Sequence, residues 1–230
     1  MIELHYVEKK YVSGERALYI DHLTLNAGEI VGVLGDNGSG KTTMLKAMAG
    51  MGELTNGTIT FDGKPVSERY ADLAFITEEG SYLPQMTPHE YGEFLRGYFP
   101  KFDETYYEEL LRFFQLDPSK KNRSLSKGQR AKLELAAGFA KRATYILMDE
   151  PFLGMDQTTR TGFLKMIAAG LTGEETLVIS THFTEDFANL FDRALLLHHG
   201  RIRDNVAVDD LRQEGKTLEQ FLAERRAMWL

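Results

Sequence analysis

Apolar and polar residues alternate along residues 2–7 and 17–25, the period of a half-buried strand. Residues 29–34 break that rhythm. They form a short apolar run that closes on Gly35, the pattern of a strand buried on both faces. Helical spacing begins at Lys41 and fades at Gly50-Met51-Gly52. Residues 58–61 and 73–76 read as strands again. The middle of the chain then changes period, and three helices are predicted over residues 88–98, 104–116 and 126–142. Strands return at 145–148, 176–180 and 194–197, separated by helical segments at 158–169 and 184–190. A last helical stretch, 217–227, is expected on the surface.

Alternating strands and helices around buried apolar strands imply an α/β fold with a mostly parallel sheet covered by helices. No internal repeat or low-complexity linker divides the chain. A single domain over 1–230 is expected, with a core lobe of residues 1–78 and 143–230 and a helical lobe of residues 79–142 inserted in it.

Composition narrows the picture. At 43% hydrophobic, the chain has enough apolar residues for a real core and too many for a disordered polymer. The absence of cysteine excludes disulfides and thiolate metal sites. A net charge of −7, with no long basic run, argues against nucleic acid as a main partner. No stretch approaches the ~18 apolar residues that cross a bilayer. The first ten residues lack the apolar centre of a signal peptide. The expectation is a cytoplasmic protein that reaches a membrane only by docking on another protein.

The chemistry concentrates in a few motifs. Residues 35–42, Gly35-Asp36-Asn37-Gly38-Ser39-Gly40-Lys41-Thr42, fit the phosphate-binding P-loop at every position, between a predicted strand and a predicted helix. Glycines let the backbone turn so that N–H groups point at phosphate oxygens. The helix start adds the positive end of its dipole. Lys41 supplies a full charge for the β and γ phosphates, and the Thr42 hydroxyl is placed to ligate Mg²⁺. A plain glycine-rich turn is the bland alternative, and the number of matched positions argues against it. A second piece is the apolar strand that delivers Asp149 and Glu150 at its C-terminal end, where ligands bind in open α/β sheets. Asp149 would hold Mg²⁺ and Glu150 would orient, or take a proton from, the attacking water. Between these motifs stands Leu125-Ser126-Lys127-Gly128-Gln129. Ser126 and Gln129 have the spacing of a helix capping box, and such an N-terminus suits an anion.

Together these residues resemble the motifs of the ABC (ATP-binding cassette) ATPases, whose signature is usually written LSGGQ. The order of the remaining motifs fits the resemblance. Gly154-Met155-Asp156 is similar to the D-loop, and Ser180-Thr181-His182 to the switch histidine. Tyr11 is similar to the aromatic residue that stacks on adenine. Residues 56–63 correspond to the family's small antiparallel β region. The resemblance spans about residues 2–205. It implies a P-loop NTPase core that binds and hydrolyses ATP with Mg²⁺. Catalysis would fall to Lys41, Glu150 and His182. Tyr11, residues 35–43 including Thr43, residues 126–129 and Asp156 would contact nucleotide. Thr42, Asp149 and Glu78 would hold the metal.

Two positions depart from the family pattern. Lys127 replaces the third signature residue, a position that varies. At the start of the helical lobe the family usually has a Gln that ligates Mg²⁺ and the attacking water. The register puts Glu78 there, or Glu79 if it slips by one. Glu78, residues 102–111 and residues 149–154 are similar to stand-alone subunits of bacterial ABC-2-type exporters. The family architecture implies two partners: a second cassette, identical or homologous, that sandwiches two ATP molecules, and an integral membrane permease. Residues 79–91 are either the docking surface for that permease or an ordinary loop. The alternative function is an ABC ATPase with no role in transport, serving assembly or regulation. The long coiled-coil insertions and paired cassettes of such proteins do not occur in this sequence.

Overall fold

The structure is a computed structural model that describes residues 1–11, 14–77, 81–152, 154–182 and 190–229, with Met228 and Trp229 described by their backbone alone. Glu78, Glu79 and most of the helix expected at 184–190 therefore lie outside the described residues. The chain divides into two compact units, Met1–Val66 with Thr176–Leu230, and Ser67–Glu175.

The first unit contains two sheets. Strands β1 (Ile2–Lys10), β2 (Arg16–Leu25), β4 (Asn56–Phe61) and β5 (Lys64–Pro65) form an antiparallel sheet in the order β2-β1-β4-β5. The alternation seen in the sequence sends Ile2, Leu4, Leu23, Leu25, Ile59 and Phe61 to one buried face. Its partner residues Glu3, His5, His22 and Thr24 occupy the other face, as a period of two requires. Strand β3 (Ile30–Leu34) runs parallel to both β8 (Thr176–Ser180) and β9 (Arg193–His198). Val31, Val33 and Leu34 are all buried, which explains the unbroken apolar run. Helix α1 (Lys41–Met48) follows β3 and buries Met44, Leu45 and Met48. Each such side chain contributes roughly 1.5–3 kcal/mol.

Strand β10 (Arg201–Ala207) pairs antiparallel with β9 and went unread in the sequence. Its residues are mostly polar and only part-buried, as suits an edge strand. His199 and Gly200, with φ of 47° and 70°, make the two-residue turn between them. Positive φ at both positions is the hairpin geometry whose twist matches that of the strands. Helices α6 (Val208–Gln213) and α7 (Leu218–Trp229) follow. The latter is the predicted surface helix, and it buries Leu218, Phe221 and Leu222 along one side.

The second unit pairs β6 (Leu73–Thr77) in parallel with β7 (Tyr145–Asp149). Around them lie α2 (Pro88–Tyr98), α3 (Glu104–Phe113), α4 (Lys127–Ala140) and α5 (Gln157–Gly170). Each helix starts on a side-chain cap: Thr87 with Glu90, Asp103, Ser126 with Gln129, and Asp156. Such caps are worth about 1 kcal/mol each. Helix α3 stops earlier than its periodicity predicted, because Gln115 turns left-handed with φ 55°. Phe163 on α5 gathers Phe114, Phe139 and Phe152 at ring separations of 5.0, 5.4 and 6.0 Å. That cluster anchors the chain just after β7, where the candidate carboxylates stand.

Candidate functional site

Residues 35–42 leave β3 and turn into α1, as the sequence predicted. Gly40 caps the helix in a left-handed conformation with φ 107°, and no side chain caps the first turn. The N–H groups there are therefore offered to whatever enters the loop. Lys41 is buried, and its Nζ donates to the carbonyl of Gly35 at 2.9 Å. Ser39 Oγ is buried and has no hydrogen-bond partner among the described residues. A buried hydroxyl without a partner costs free energy unless a ligand satisfies it. The turn is thus a cradle with a free hydroxyl and an uncapped helix start, and both fit a phosphate.

What holds the cradle in shape was not visible in the sequence. The Gly200 N–H donates to the Ser39 carbonyl at 2.8 Å, and the Tyr19 N–H donates to the Gly200 carbonyl at 2.7 Å. A Cβ on Gly200 would lie 2.7 Å from the Ala17 carbonyl oxygen, and one on Gly40 would lie 2.9 Å from the same atom. The β9–β10 turn is therefore wedged between β2 and the P-loop, and only glycine fits.

Strand β8 ends beside β3, with Val33 opposite Ser180. His182 follows two residues later and is exposed, so the candidate histidine stands at the same end of the sheet from which the P-loop emerges. Tyr11 lies across the start of α1. Its hydroxyl is 3.0 Å from Thr43 Oγ1. Beside the ring is a cavity of about 290 Å³ lined by Lys9, Lys10, Thr43, Lys46 and Met51. An aromatic face over an open cavity next to a phosphate cradle suits a planar base.

The second unit carries the remaining candidates. Every residue of β7 is buried, and Asp149 closes it, level with Thr77 at the end of β6. Glu150 takes a left-handed conformation, φ 46°. That geometry costs about 1–2 kcal/mol in a residue with a Cβ. Strain of this kind clusters at functional sites, and sequence reasoning had no signal for it.

Ser126 and Gln129 form the expected capping box, with Ser126 N–H donating to Gln129 Oε1 at 3.0 Å and Gln129 N–H to Ser126 Oγ at 3.2 Å. Lys127 is exposed, and Gly128 faces Gly154, whose carbonyl oxygen would be 3.7 Å from an added Cβ. Asp156 caps α5, accepting from Thr159 N–H at 2.9 Å and Thr159 Oγ1 at 2.7 Å. The bonds from Thr159, led by its backbone N–H, hold the Asp156 carboxyl below the usual carboxylate range.

A phosphate cradle on a parallel sheet, with an acidic pair ending a second buried strand, defines a P-loop nucleotide-binding protein. Comparison with known proteins narrows the class. The profile of the family described as "ABC transporter" matches residues 20–153. The ABC transporter ATP-binding protein YtrB of Bacillus subtilis (strain 168) is 33% identical over 218 residues, 93% of this chain and 74% of that protein. The spermidine/putrescine import ATP-binding protein PotA of Haemophilus influenzae is 31% identical over 232 residues, 95% of this chain and 61% of its own length. A solved structure of an ATP binding subunit of an ABC transporter superposes with a TM-score of 0.85 at 25% identity, covering 97% of this chain and 98% of that one. The chain belongs to the ABC transporter family: it is an ATP-binding motor subunit with the cassette fold, and an ATPase.

Proposed function

We propose that this cassette works with Mg²⁺ and a second cassette to power a separate integral membrane permease, and that the transporter is an exporter. The observation that carries the reading is the cradle at residues 35–42, with Lys41 buried in it and the Ser39 hydroxyl without a hydrogen-bond partner among the described residues. Lys41 draws the β and γ phosphates, the uncapped start of α1 receives an anion, and Tyr11 stacks on adenine. The Thr42 hydroxyl and Asp149 would hold Mg²⁺, which neutralises phosphate charge when bound. Glu150 orients the attacking water and accepts its proton, and His182 contacts the γ-phosphate side. Glu78 would serve as a further metal ligand in place of the family's Gln.

The chain carries two phosphate-binding devices, the P-loop and the capped start of α4 at Ser126, Lys127, Gly128 and Gln129. Two cassettes that sandwich two ATP molecules use both, the signature of one facing the P-loop of the other. ATP then favours the closed pair, and hydrolysis releases it. No helix of the described residues is long and apolar enough to cross a membrane. On this reading the separate permease supplies the membrane part, and the cassette docks on it from the cytoplasmic side. Export rests on the resemblance of Glu78 and residues 102–111 and 149–154 to ABC-2-type subunits, against relatives that include an importer.

A tagged pull-down from detergent-solubilised native membranes tests the proposal. A stoichiometric polytopic membrane protein is the expected companion. Recovery with soluble partners alone would leave the ATPase and remove the transport role.

A further inference from the structure

Residues 81–86 run along the lead-in to α4 and its first turns, and all but Gln85 find a partner there. Ser81 Oγ donates to Glu134 Oε2 at 3.0 Å and lies 3.1 Å from the Tyr91 hydroxyl. The guanidinium of Arg130, one turn before Glu134 on the same helix, stands over the Tyr82 ring at 5.4 Å. Asn122 Nδ2 donates to the Leu83 carbonyl at 3.1 Å, and the Arg123 N–H to the Pro84 carbonyl at 3.0 Å. The Asn122 N–H closes the series on the Met86 carbonyl at 2.8 Å.

Glu134 is the member that a core would not choose. It is 4% exposed, between Leu133 and Leu135, which are fully buried. Burial pushes its carboxyl up, against the hydrogen bond from the Ser81 side chain and the pull of Lys141. An apolar side chain of the same size would fill that position without the desolvation cost. What the carboxyl adds is a fixed hold on Ser81.

We propose that Glu134 is a positioning residue for ATP hydrolysis. Through Ser81 it locks residues 81–86 onto α4, so that this segment and the signature residues Ser126–Gln129 at the start of the same helix move as one body. A displacement at 81–86 then reaches the signature without slack, because packed, hydrogen-bonded contacts transmit it as a unit. The proposal rests on the reading of residues 126–129 as nucleotide contacts.

The test uses the full chain and the variants Glu134→Gln, Glu134→Leu and Ser81→Ala. ATP turnover is measured across ATP concentrations, with the dissociation constant of a fluorescent ATP analogue and the melting temperature alongside. Glu134→Gln keeps the shape and can still accept the Ser81 hydroxyl, so kcat stays within about twofold of the unsubstituted chain. Glu134→Leu and Ser81→Ala lower kcat about tenfold, while the nucleotide dissociation constant and melting temperature hold. If Glu134→Leu does not fold, Ser81→Ala, at an exposed residue, carries the test alone. Unchanged kcat in the variants that remove the bond overturns the proposal, as does an equal loss in Glu134→Gln. So does a kcat loss matched by a weaker nucleotide affinity. Absence of turnover in the unsubstituted chain would instead take down the underlying functional reading and this proposal with it.

Discussion

Replacing Gly200 with alanine should damage the phosphate cradle from a distance. The new Cβ would sit 2.7 Å from the Ala17 carbonyl oxygen and 2.9 Å from its carbon. Both are backbone atoms next to paired positions of β2, so neither can swing aside. The turn must lift instead. Lifting weakens the bond from Tyr19 N–H to the Gly200 carbonyl and that from Gly200 N–H to the Ser39 carbonyl. At about 1 kcal/mol each, with about 1–2 kcal/mol for alanine at φ 70°, the cost is about 3–4 kcal/mol. Gly215 supplies the control. Its φ is 72°, but an added Cβ would meet nothing within 4 Å, so Gly215→Ala should cost only the conformational part, about 1–2 kcal/mol. In a chain of this size 1 kcal/mol moves the melting temperature about 2–4 °C. Thermal melts followed by circular dichroism should therefore place Gly200→Ala clearly below Gly215→Ala. Titration with a fluorescent ATP analogue should show weaker binding for Gly200→Ala alone, because only that variant loosens the Ser39 carbonyl. The reasoning is refuted if the two variants melt together and both bind nucleotide as the unsubstituted chain does.

Lys41→Ala should abolish hydrolysis, measured as phosphate release, and near-normal turnover would remove Lys41 from the chemistry. Tyr11→Ala should raise the nucleotide dissociation constant by the ~1–3 kcal/mol typical of base–aromatic stacking and spare turnover at saturation. Tyr11→Phe keeps the ring, loses only the contact with Thr43 Oγ1, and should bind within about fivefold of the unsubstituted chain. Arg193→Met should destabilise the fold in a pH-dependent way. Glu29 accepts hydrogen bonds from Arg193 Nη2 at 2.7 Å and Nε at 3.2 Å. Burial alone would raise the Glu29 carboxyl, but bonds from Arg193 and Asn26 outweigh it and hold it below its ordinary value. A depressed folded-state value adds stability above the unfolded value, and that stability disappears as pH falls through the folded one. The gap between the two proteins in denaturant melts should be full at neutral pH and shrink below about pH 4. A gap of constant size across that range would contradict the assignment.

The contributions that local chemistry dictates were legible in the chain. A P-loop needs its glycines in one order, and a capping box needs its oxygen and amide three residues apart, so both could be read and both are where they were expected. Buried strands such as β3 and β7 announced themselves because both faces are covered. Strand β10 did not, since an edge strand of Arg, Asp and Asn has no apolar rhythm to read. The His199–Gly200 turn was silent for another reason. Its value lies in the contacts with Ala17, Tyr19 and Ser39, which are remote in sequence. The left-handed backbone of Glu150 is likewise imposed by its surroundings rather than by glutamate. Nothing in the sequence singles out Glu134, and only the fold shows that it is buried against Ser81.

The most direct test of the cassette account is the oligomeric state of Glu150→Gln in saturating Mg-ATP, followed by light scattering on a sizing column. General-base loss typically slows turnover ~10²–10⁴-fold, so bound ATP should persist and hold two cassettes together. A stable dimer that reverts to 26.1 kDa monomers when the nucleotide is removed is the expected result. A protein that binds Mg-ATP and stays monomeric would contradict the sandwich on which the account depends.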